Sequence, residues 1–403
     1  MTTEAKPAQA AEPAEPRIGL LRQIAHGELG AVRVVVLLGV IWLIFQSQND
    51  RFLSAVNLTN LMLQIAAVGT VSVGVVLVLL LGEIDLSVGA VSGLAAAVTA
   101  VLSVKHGWLP ELAIVAGLTV GLVIGLFYGL MVTFFGIPSF VVTLAGLLGW
   151  QGALLYVLGD TGTVNLPEST ITDLTNTFFA DSVGWAIAAG CIAAFITVEL
   201  LERRRRQAAG LPVGPMASFL ARAVVVAGGL IAATAILNSD RGLPLAAVIL
   251  IGFCGLFAFI TKRTRFGRHI FAVGGNAEAA RRAGIRINRI KITVFALGSM
   301  MAAAGGILAA SRLLAVNQSS GGSDFLLLAI AGPVIAGTSL FGGRGSVWHA
   351  LLGALVIGSI SNGMDLLGLD SDVKYMITGA VLLAAVTLDA VTRQQRQQAG
   401  RAA

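Results

Sequence analysis

Apolar segments long enough to cross a lipid bilayer recur along nearly the whole chain, and this feature excludes most other architectures. An α-helix needs about 20 apolar residues to span a hydrocarbon core of about 30 Å. Hydrophobic residues make up 56% of the 403 residues and charged residues only 12%, whereas soluble domains carry roughly 25% charged residues. So few charges cannot cover a water-exposed surface of this size. The sequence therefore predicts an all-α polytopic membrane protein.

The apolar windows predict about twelve transmembrane helices, within a range of ten to twelve, some of them broken or re-entrant because glycine interrupts them. They divide the chain into a disordered cytoplasmic N-terminus over 1–30, a transmembrane domain over 31–392 and a cytoplasmic tail over 393–403. The windows are 31–46, 61–82, 87–104, 111–134, 138–158, 184–201, 219–237, 243–261, 292–314, 324–341, 346–364 and 373–391.

Charge gives an independent test of this count, because Lys and Arg concentrate in cytoplasmic loops. If the spans alternate from a cytoplasmic N-terminus, most of the 27 Lys and Arg residues fall on the cytoplasmic side. The polar segment 262–291 is strongly basic and lies inside, whereas 159–183 contains acidic residues but no basic one and lies outside. Both termini are therefore predicted to be cytoplasmic.

A weak internal repeat is also present. A shift of 259 residues aligns Ser87-Val88 with Ser346-Val347 and maps the windows at 61–82 and 111–134 onto other membrane windows. Both copies would have the same orientation, as in transporters built from parallel repeats.

The first candidate site is the segment Leu81-Gly-Glu-Ile-Asp-Leu-Ser-Val-Gly89, where two carboxylates interrupt some forty apolar residues. An acidic side chain in hydrocarbon costs about 2.5–3.5 kcal/mol, so Glu83 and Asp85 should face protein or water. Asp85 and Ser87 could cap the following helix from a cytoplasmic turn. Alternatively, the segment is a broken helix that lines a polar path.

The second candidate lies in the basic segment 262–291. Asn276 is a favourable N-cap, Glu278 would lie in the first helical turn, and Gly284 is suited to the residue after the helix end. The pattern predicts a helix of about two turns over 276–283, too short to be stable alone. It would dock on a partner protein or lie on lipid headgroups.

The third candidate is Ile137-Pro-Ser-Phe-Val-Val-Thr-Leu-Ala-Gly146. Proline is well tolerated at the start of a helix, and Ser139 and Thr143 are four residues apart, so their hydroxyls share one face. They could line a polar path, or they could simply pack against a neighbouring helix.

The sequence contains no recognisable motif for nucleotide binding, metal binding or catalysis. No Gly-Lys pair occurs, so the phosphate-binding P-loop is absent. The four histidines are scattered, and Cys191 and Cys254 lie in apolar runs. We therefore expect no enzyme activity, no metal, no cofactor and no nucleic acid partner, and any active transport must take its energy from another subunit.

Five motifs in order resemble the permease subunits of bacterial ABC importers for monosaccharides such as ribose, galactose and xylose. The resemblance covers residues 50–392. The motifs are Glu-Ile-Asp-Leu-Ser-Val-Gly at 83–89, Pro-Ser-Phe-Val-Val-Thr-Leu-Ala-Gly at 138–146, Gly-Gly-Asn-Ala-Glu-Ala-Ala-Arg-Arg-Ala-Gly-Ile at 274–285, Gly-Thr-Ser-Leu-Phe-Gly-Gly-Arg-Gly-Ser-Val at 337–347 and Asn-Gly-Met at 362–364.

Within that family the chain is most similar to the xylose group, which carries a comparable insertion in the region 184–261 with an Asn-Asp-x-Arg-Gly segment; here this segment is Asn238-Ser-Asp-Arg-Gly242. The resemblance implies a homodimer in the bacterial cytoplasmic membrane that imports a monosaccharide, D-xylose above all. It also implies an ATP-binding cassette ATPase, often a fused tandem chain, and a periplasmic sugar-binding protein as partners.

The resemblance makes 262–291 the loop that couples the permease to the ATPase. Its coupling residues would be Gly275, Asn276, Glu278, Ala279, Ala280 and Gly284. The candidate residues of the translocation path are Glu83, Asp85, Ser87, Ser139, Thr143 and Asn362.

Three other functions are weighed against this one. A secondary transporter also fits twelve spans and a parallel repeat, but it needs buried ionisable residues that the sequence scarcely offers. A membrane anchor leaves the Gly-rich broken spans without a reason. A membrane enzyme lacks a recognisable set of catalytic groups.

Overall fold

The computed structural model describes residues 30–381, 383, 384 and 387, which are predominantly helical. The predicted disordered N-terminus, apart from Gly30, and the predicted tail over 393–403 lie outside the described residues. Residues 371–381 form a helical segment at the end of the described chain. The preceding helices are α1 (Gly30–Gln48), α2 (Ala55–Leu80), α3 (Val88–Val104), α4 (Pro110–Phe134), α5 (Ser139–Leu158), α6 (Thr170–Asn176), α7 (Asp181–Ala208), α8 (Met216–Asn238), α9 (Leu245–Arg263), α10 (Arg265–Gly275), α11 (Ala277–Arg282), α12 (Ile287–Leu313), α13 (Ser323–Ile335) and α14 (Trp348–Leu366).

Two short antiparallel strand pairs join the ends of these helices. Strand β1 (Thr163–Asn165) pairs with β4 (Ala315–Asn317), and β2 (Phe178–Phe179) pairs with β3 (Leu243–Pro244). The polar segment 159–183 therefore contains β1, α6 and β2. Helices α7 and α8 lie between β2 and β3 in the chain, so they form a hairpin inserted at one point of the fold.

Seven of the described helices are long and apolar enough to cross a membrane: α2, α4, α5, α7, α8, α9 and α12. The chain is thus a polytopic, predominantly α-helical membrane protein, but the predicted twelve spans are not reached by this measure. Helices α3 and α13 are too short, since α3 begins only at Val88, after the turn at Gly82, and α13 ends at Ile335. Their 17 and 13 residues give lengths of about 25 and 20 Å, less than the hydrocarbon thickness.

The predicted windows nevertheless coincide with helices along the described chain. Each window from 31–46 to 346–364 falls on one of the helices named above, and 373–391 begins in the segment 371–381. Helix α2 begins at Ala55, six residues before its window, and its first turns contain the buried polar residues Asn57 and Thr59. A hydropathy window stops at such polar residues, although they can be accommodated when they are buried among protein groups.

Small residues bring the central helices together, as the high glycine content predicts. Helix α4 carries glycines at four-residue intervals, and Gly121, Gly125 and Gly129 face α12. A Cβ added to Gly121 would lie 2.6 Å from both the Ser299 carbonyl oxygen and the Ala303 Cβ. Helix α2 meets α12 in the same way at Gly74 and Gly298. Because these backbones touch directly, a side chain at either contact would separate the helices.

Helix ends that the charge pattern assigns to the same side contact each other. Lys105 Nζ donates to the Leu158 carbonyl oxygen at 2.7 Å. Both residues lie where a predicted span ends on the outer side of the membrane. At the opposite side, Arg263 lies 3.2 Å from Glu202. The alternation of the spans is therefore consistent with the fold. Two further contacts between predicted outer ends are Asn49 with Leu366 and Asn238 with Asp181.

Candidate functional site

The first candidate segment is a true helix break between α2 and α3. Helix α2 ends at Leu80, Gly82 has a φ of +76°, and α3 begins only at Val88. A residue with a Cβ rarely adopts a positive φ, so Gly82 permits the chain to turn here. The buried end of α2 and the start of α3 thus leave a short non-helical segment, called here the first break (residues 81–87).

Hydroxyl groups of α5 bind the peptide N–H groups of the first break. Ser139 Oγ accepts from the Ile84 N–H at 3.3 Å, and Thr143 Oγ1 accepts from the Leu86 N–H at 3.1 Å. The two hydroxyls lie on one face of α5, as their spacing predicts. An unpaired N–H buried in a membrane costs several kcal/mol, so these contacts stabilise the irregular backbone.

Asp85 does not cap α3, contrary to one of the two sequence interpretations. Its Oδ1 accepts from the Ser87 N–H at 2.8 Å and from Ser87 Oγ at 2.7 Å. Ser87 occupies the N-cap position, but its side chain makes no capping bond because the hydroxyl is turned toward Asp85. The carboxylate therefore organises the turn that precedes the helix. Asp85 is buried, and its Oδ2 has no hydrogen-bond partner among the described residues.

Two aromatic residues that the sequence did not single out stand beside this turn. Trp150 Nε1 donates to the Tyr128 hydroxyl at 2.6 Å, and Tyr128 is completely buried next to Ser87. The indole and phenol come from α5 and α4. A Tyr and a Trp within apolar helices are a sequence signal for such a contact, because their polar atoms need a hydrogen-bond partner when they are buried.

Glu83, the other carboxylate of the first break, forms an ion pair with Lys291 near the start of α12. Both side chains are largely buried, with 16% and 23% of their surface exposed. The residues are 208 positions apart, which explains why no local pattern indicated the pair. In the sequence, Lys291 is only one of many charges in the basic segment 262–291.

A second break (residues 336–347) separates α13 from α14 and touches the first. The Gly343 N–H donates to the Leu80 carbonyl oxygen at 2.9 Å, which satisfies one of the free carbonyls at the end of α2. Thr338 Oγ1 and His349 Nδ1 lie 3.0 Å apart across the second break. The two segments related by the weak sequence repeat are thus neighbours in space.

Asn362 lies apart from the other candidate path residues. Its amide exchanges two hydrogen bonds with the amide of Asn57, at 2.8 and 3.0 Å, and both residues are buried. Asn57 lies at the beginning of α2, whereas Glu83 and Asp85 follow its end, and 26 helical residues span about 39 Å. The structure therefore gathers Glu83, Asp85, Ser87, Ser139 and Thr143 but leaves Asn362 in another part of the fold.

The predicted short helix of the basic segment is present as α11. Asn276 Oδ1 accepts from the Ala279 N–H at 2.9 Å, which is the expected N-cap bond. Glu278 lies in the first turn and pairs with Arg281 and Arg282 at 3.7 and 3.3 Å. Gly284 has a φ of +80°, as a residue that ends a helix in the left-handed region requires.

The segment 262–291 is not one long loop, because a further helix, α10, fills its first half. Thr264 caps α10 by accepting from the Gly267 N–H at 3.1 Å. Ile270 and Val273 of α10 are buried in the core, while Ala280 is the buried residue of α11. The many Arg residues hid this amphipathic pattern from a hydropathy window. Of the remaining predicted coupling residues, Gly275 is the last residue of α10.

Comparisons with known proteins show the class to which this membrane protein with two helix breaks belongs. The family model described as "Branched-chain amino acid transport system / permease component" matches residues 57–386. The xylose transport system permease protein XylH of Escherichia coli is 37% identical over 364 residues, 90% of this chain and 92% of that protein. The corresponding protein of Haemophilus influenzae is 34% identical over 90% of this chain and 96% of its own length.

A ribose import permease of Bacillus subtilis is 31% identical over 85% of this chain and 87% of its own length. No solved structure matches the chain at a significant level. The chain therefore belongs to the family of transport system permease components, in the branch that includes sugar permeases. The resemblance expected from the five motifs is confirmed.

Proposed function

We propose that this chain is the membrane-spanning permease subunit of an ATP-driven importer of a monosaccharide, and that this monosaccharide is D-xylose. The identity of 37% to a xylose permease along 90% of the chain carries this proposal. The 31% identity to a ribose permease supports the wider class of substrate, a small sugar. A permease of this kind conducts the sugar and does not itself carry out a chemical reaction.

The proposed assembly has three kinds of partner. A second copy of the permease would complete the path across the cytoplasmic membrane. An ATP-binding cassette ATPase, as a pair of domains or a fused tandem chain, would supply the energy for transport, because this sequence contains no P-loop of its own. A periplasmic sugar-binding protein would deliver the sugar and determine most of the selectivity.

We propose ten to twelve membrane helices with both termini in the cytoplasm. The excess of Lys and Arg on one set of loops supports this orientation. The described residues supply enough segments for these crossings. They are the helices α1 to α14 without the short α6, α10 and α11, and the helical segment 371–381. Helices α3 and α13 would each cross together with the non-helical residues of an adjoining break.

The proposed translocation path passes the first break. Glu83, Asp85 and Ser87 belong to it, Ser139 and Thr143 adjoin it, and Asn362 would face the path at another depth. The hydroxyls and carboxylates suit the hydrogen-bonding groups of a sugar. Because Asp85, Ser87, Ser139 and Thr143 are all buried in the present conformation, the path is closed here and opens when the break moves.

We propose further that Gly275, Asn276, Glu278, Ala279, Ala280 and Gly284 form the coupling segment that docks on the ATPase. A six-residue helix is marginal by itself, and α11 exposes Glu278, Arg281 and Arg282 while burying only Ala280. An exposed, capped helix with charges on its free side is suited to a protein groove.

Uptake of radiolabelled D-xylose by proteoliposomes tests the proposed function. The vesicles contain the permease and its ATPase subunit, with ATP enclosed and the sugar-binding protein outside. We expect uptake that requires both ATP and the binding protein, with ribose and fructose transported less well. Uptake driven by an ion gradient without ATP would identify a secondary transporter instead.

Replacement of Gly284 by Val tests the coupling segment. A non-glycine residue in the left-handed region costs roughly 1–2 kcal/mol, so the end of α11 should be displaced and less ATPase should copurify with the permease. Gly368→Val is the matched control, because Gly368 also has a positive φ of +65° and open surroundings but lies at the predicted outer side. Equal recovery of ATPase with both variants would make α11 a lipid-facing surface helix.

A further inference from the structure

The coupling helix α11 is flanked along the chain by two contacts, one to the end of α2 and one to the first break. On its N-terminal side, Gly274 of α10 lies against the end of α2. On its C-terminal side, Lys291 of α12 forms the ion pair with Glu83. A displacement of α11 would therefore act on one four-residue segment, Leu80–Glu83, through a contact at each end of that segment.

The contact at Gly274 is made by backbone atoms. A Cβ on Gly274 would overlap the Leu80 carbonyl oxygen and would lie 2.8 Å from the Gly343 nitrogen. Leu80 O accepts the Gly343 N–H, so the second break meets the same point. Glycine backbones from α10 and both breaks thus touch here without intervening side chains that could absorb a movement.

The contact at Lys291 is an ion pair whose two side chains are largely surrounded by protein. Since both side chains are largely withdrawn from solvent, the attraction is screened less than that of a surface pair. Removal of either charge would leave the other without its partner in a poorly solvated position. The Glu83 carboxylate is therefore needed as the partner of Lys291, whether or not it contacts the sugar.

We infer that α11 moves the first break through these two contacts, the Gly274–Leu80 backbone contact and the Glu83–Lys291 ion pair. Gly274 and Lys291 are then positioning residues of transport, and Glu83 belongs first to the transmission of movement. Because Asp85 and Ser87 follow Glu83 directly in the first break, a shift of Glu83 changes the closed segment of the proposed path. This inference rests on the proposed function.

Gly274→Ala tests the backbone contact in proteoliposomes that contain the permease, its ATPase and the binding protein. We expect ATP hydrolysis to continue while D-xylose uptake per ATP falls by about 5–150-fold, the usual range of a coupling between two sites. Gly255→Ala in α9 is the matched control, because its added Cβ meets nothing within 4 Å. The control should transport at the native rate.

The ion pair is tested by Lys291→Met, Lys291→Arg, Glu83→Lys and the charge exchange Glu83→Lys with Lys291→Glu. We expect Lys291→Met and Glu83→Lys to hydrolyse ATP without proportionate uptake. Lys291→Arg should recover uptake per ATP, and the charge exchange should raise it above the level of Glu83→Lys alone, a rise that a sugar contact at Glu83 by itself would not give. This set remains informative if Gly274→Ala does not fold.

Two failures are distinguishable. If the native assembly shows no uptake that depends on ATP and the binding protein, the proposed function is wrong. If the native assembly transports and both Gly274→Ala and Lys291→Met keep the native ratio of uptake to hydrolysis, the two contacts do not transmit the movement and the inference is overturned.

Discussion

The helices α2 and α12 and the inserted helices α7 and α8 are equally apolar but have different surroundings. Mean hydropathy in the most apolar stretch is 2.4 and 1.9 for α2 and α12, and 1.9 and 2.1 for α7 and α8. The buried share of that stretch is 94% and 72% in the first pair but 11% in both inserted helices. Hydropathy therefore identifies membrane helices without indicating which of them other helices enclose.

The two regions differ in how they use glycine. In α2, a Cβ on Gly74 would lie 2.5 Å from the Gly298 carbonyl oxygen of α12. In the insertion, Gly190, Gly228 and Gly229 have no atom within 4 Å of an added Cβ. Lipid tails are as apolar as leucine, so close association in a membrane depends on packing of small residues. The central helices have this packing, and the inserted pair faces open space on its glycine side.

The largest contrast should come from the same substitution in the two regions. Gly74→Leu forces a side chain between α2 and α12, where overpacking costs about 1–3 kcal/mol and sometimes more. We expect little folded protein and a clearly lower melting temperature in detergent. Gly228→Leu in α8 should fold normally. A normal melting temperature for Gly74→Leu would contradict the close packing of the central helices.

The buried amide pair should give the next largest effect. Asn362→Leu leaves the Asn57 amide without its partner, and an unsatisfied buried polar group costs about 1–3 kcal/mol. The double variant with Asn57→Leu should lose less than the sum of the single variants. Thermal unfolding of the four proteins measures the coupling, which averages about 0.6 and reaches about 1.7 kcal/mol for polar pairs in membranes. Strict additivity would show that the two amides do not interact.

An ion pair of the insertion should matter least. Glu202 of α7 pairs with Arg206 and Arg263, and these side chains are 35–56% exposed. Exposed pairs contribute a median of about 0–1 kcal/mol. Glu202→Gln should therefore change the melting temperature only slightly, and the change should diminish further at high salt. A loss as large as that of Asn362→Leu would mean that the insertion is anchored to the core more firmly than its exposure indicates.

Local patterns predicted the parts of the fold that depend on local physics. The apolar windows located the helices, the Asn276 cap and Gly284 stop located α11, and the four-residue spacing placed Ser139 and Thr143 on one face. Each of these features is determined by residues within about one helical turn of each other.

Contacts between distant segments were not predictable in the same way. Glu83 and Lys291 are 208 residues apart, and Asn57 and Asn362 are 305 apart, so no window contains both members of either pair. The place of Asp85 before α3 is typical of a cap, one of the two interpretations of this segment, whereas the fold turns Ser87 toward Asp85. Helix α10 was missed because its arginines lower the mean hydropathy of an otherwise amphipathic segment.

We expect the glycine-packed helices with their two breaks to carry transport and the insertion α7–α8 to be dispensable for it. The strand pair β2–β3 brackets the insertion, with Phe179 opposite Leu243. A two-residue Asn-Gly turn suits a hairpin of this kind and can replace residues 180–242. ATP- and binding-protein-dependent uptake of D-xylose by this shortened chain is the direct measurement. We expect uptake per ATP to stay near the native value; a shortened chain that assembles with the ATPase but transports no xylose would show that the insertion takes part in transport.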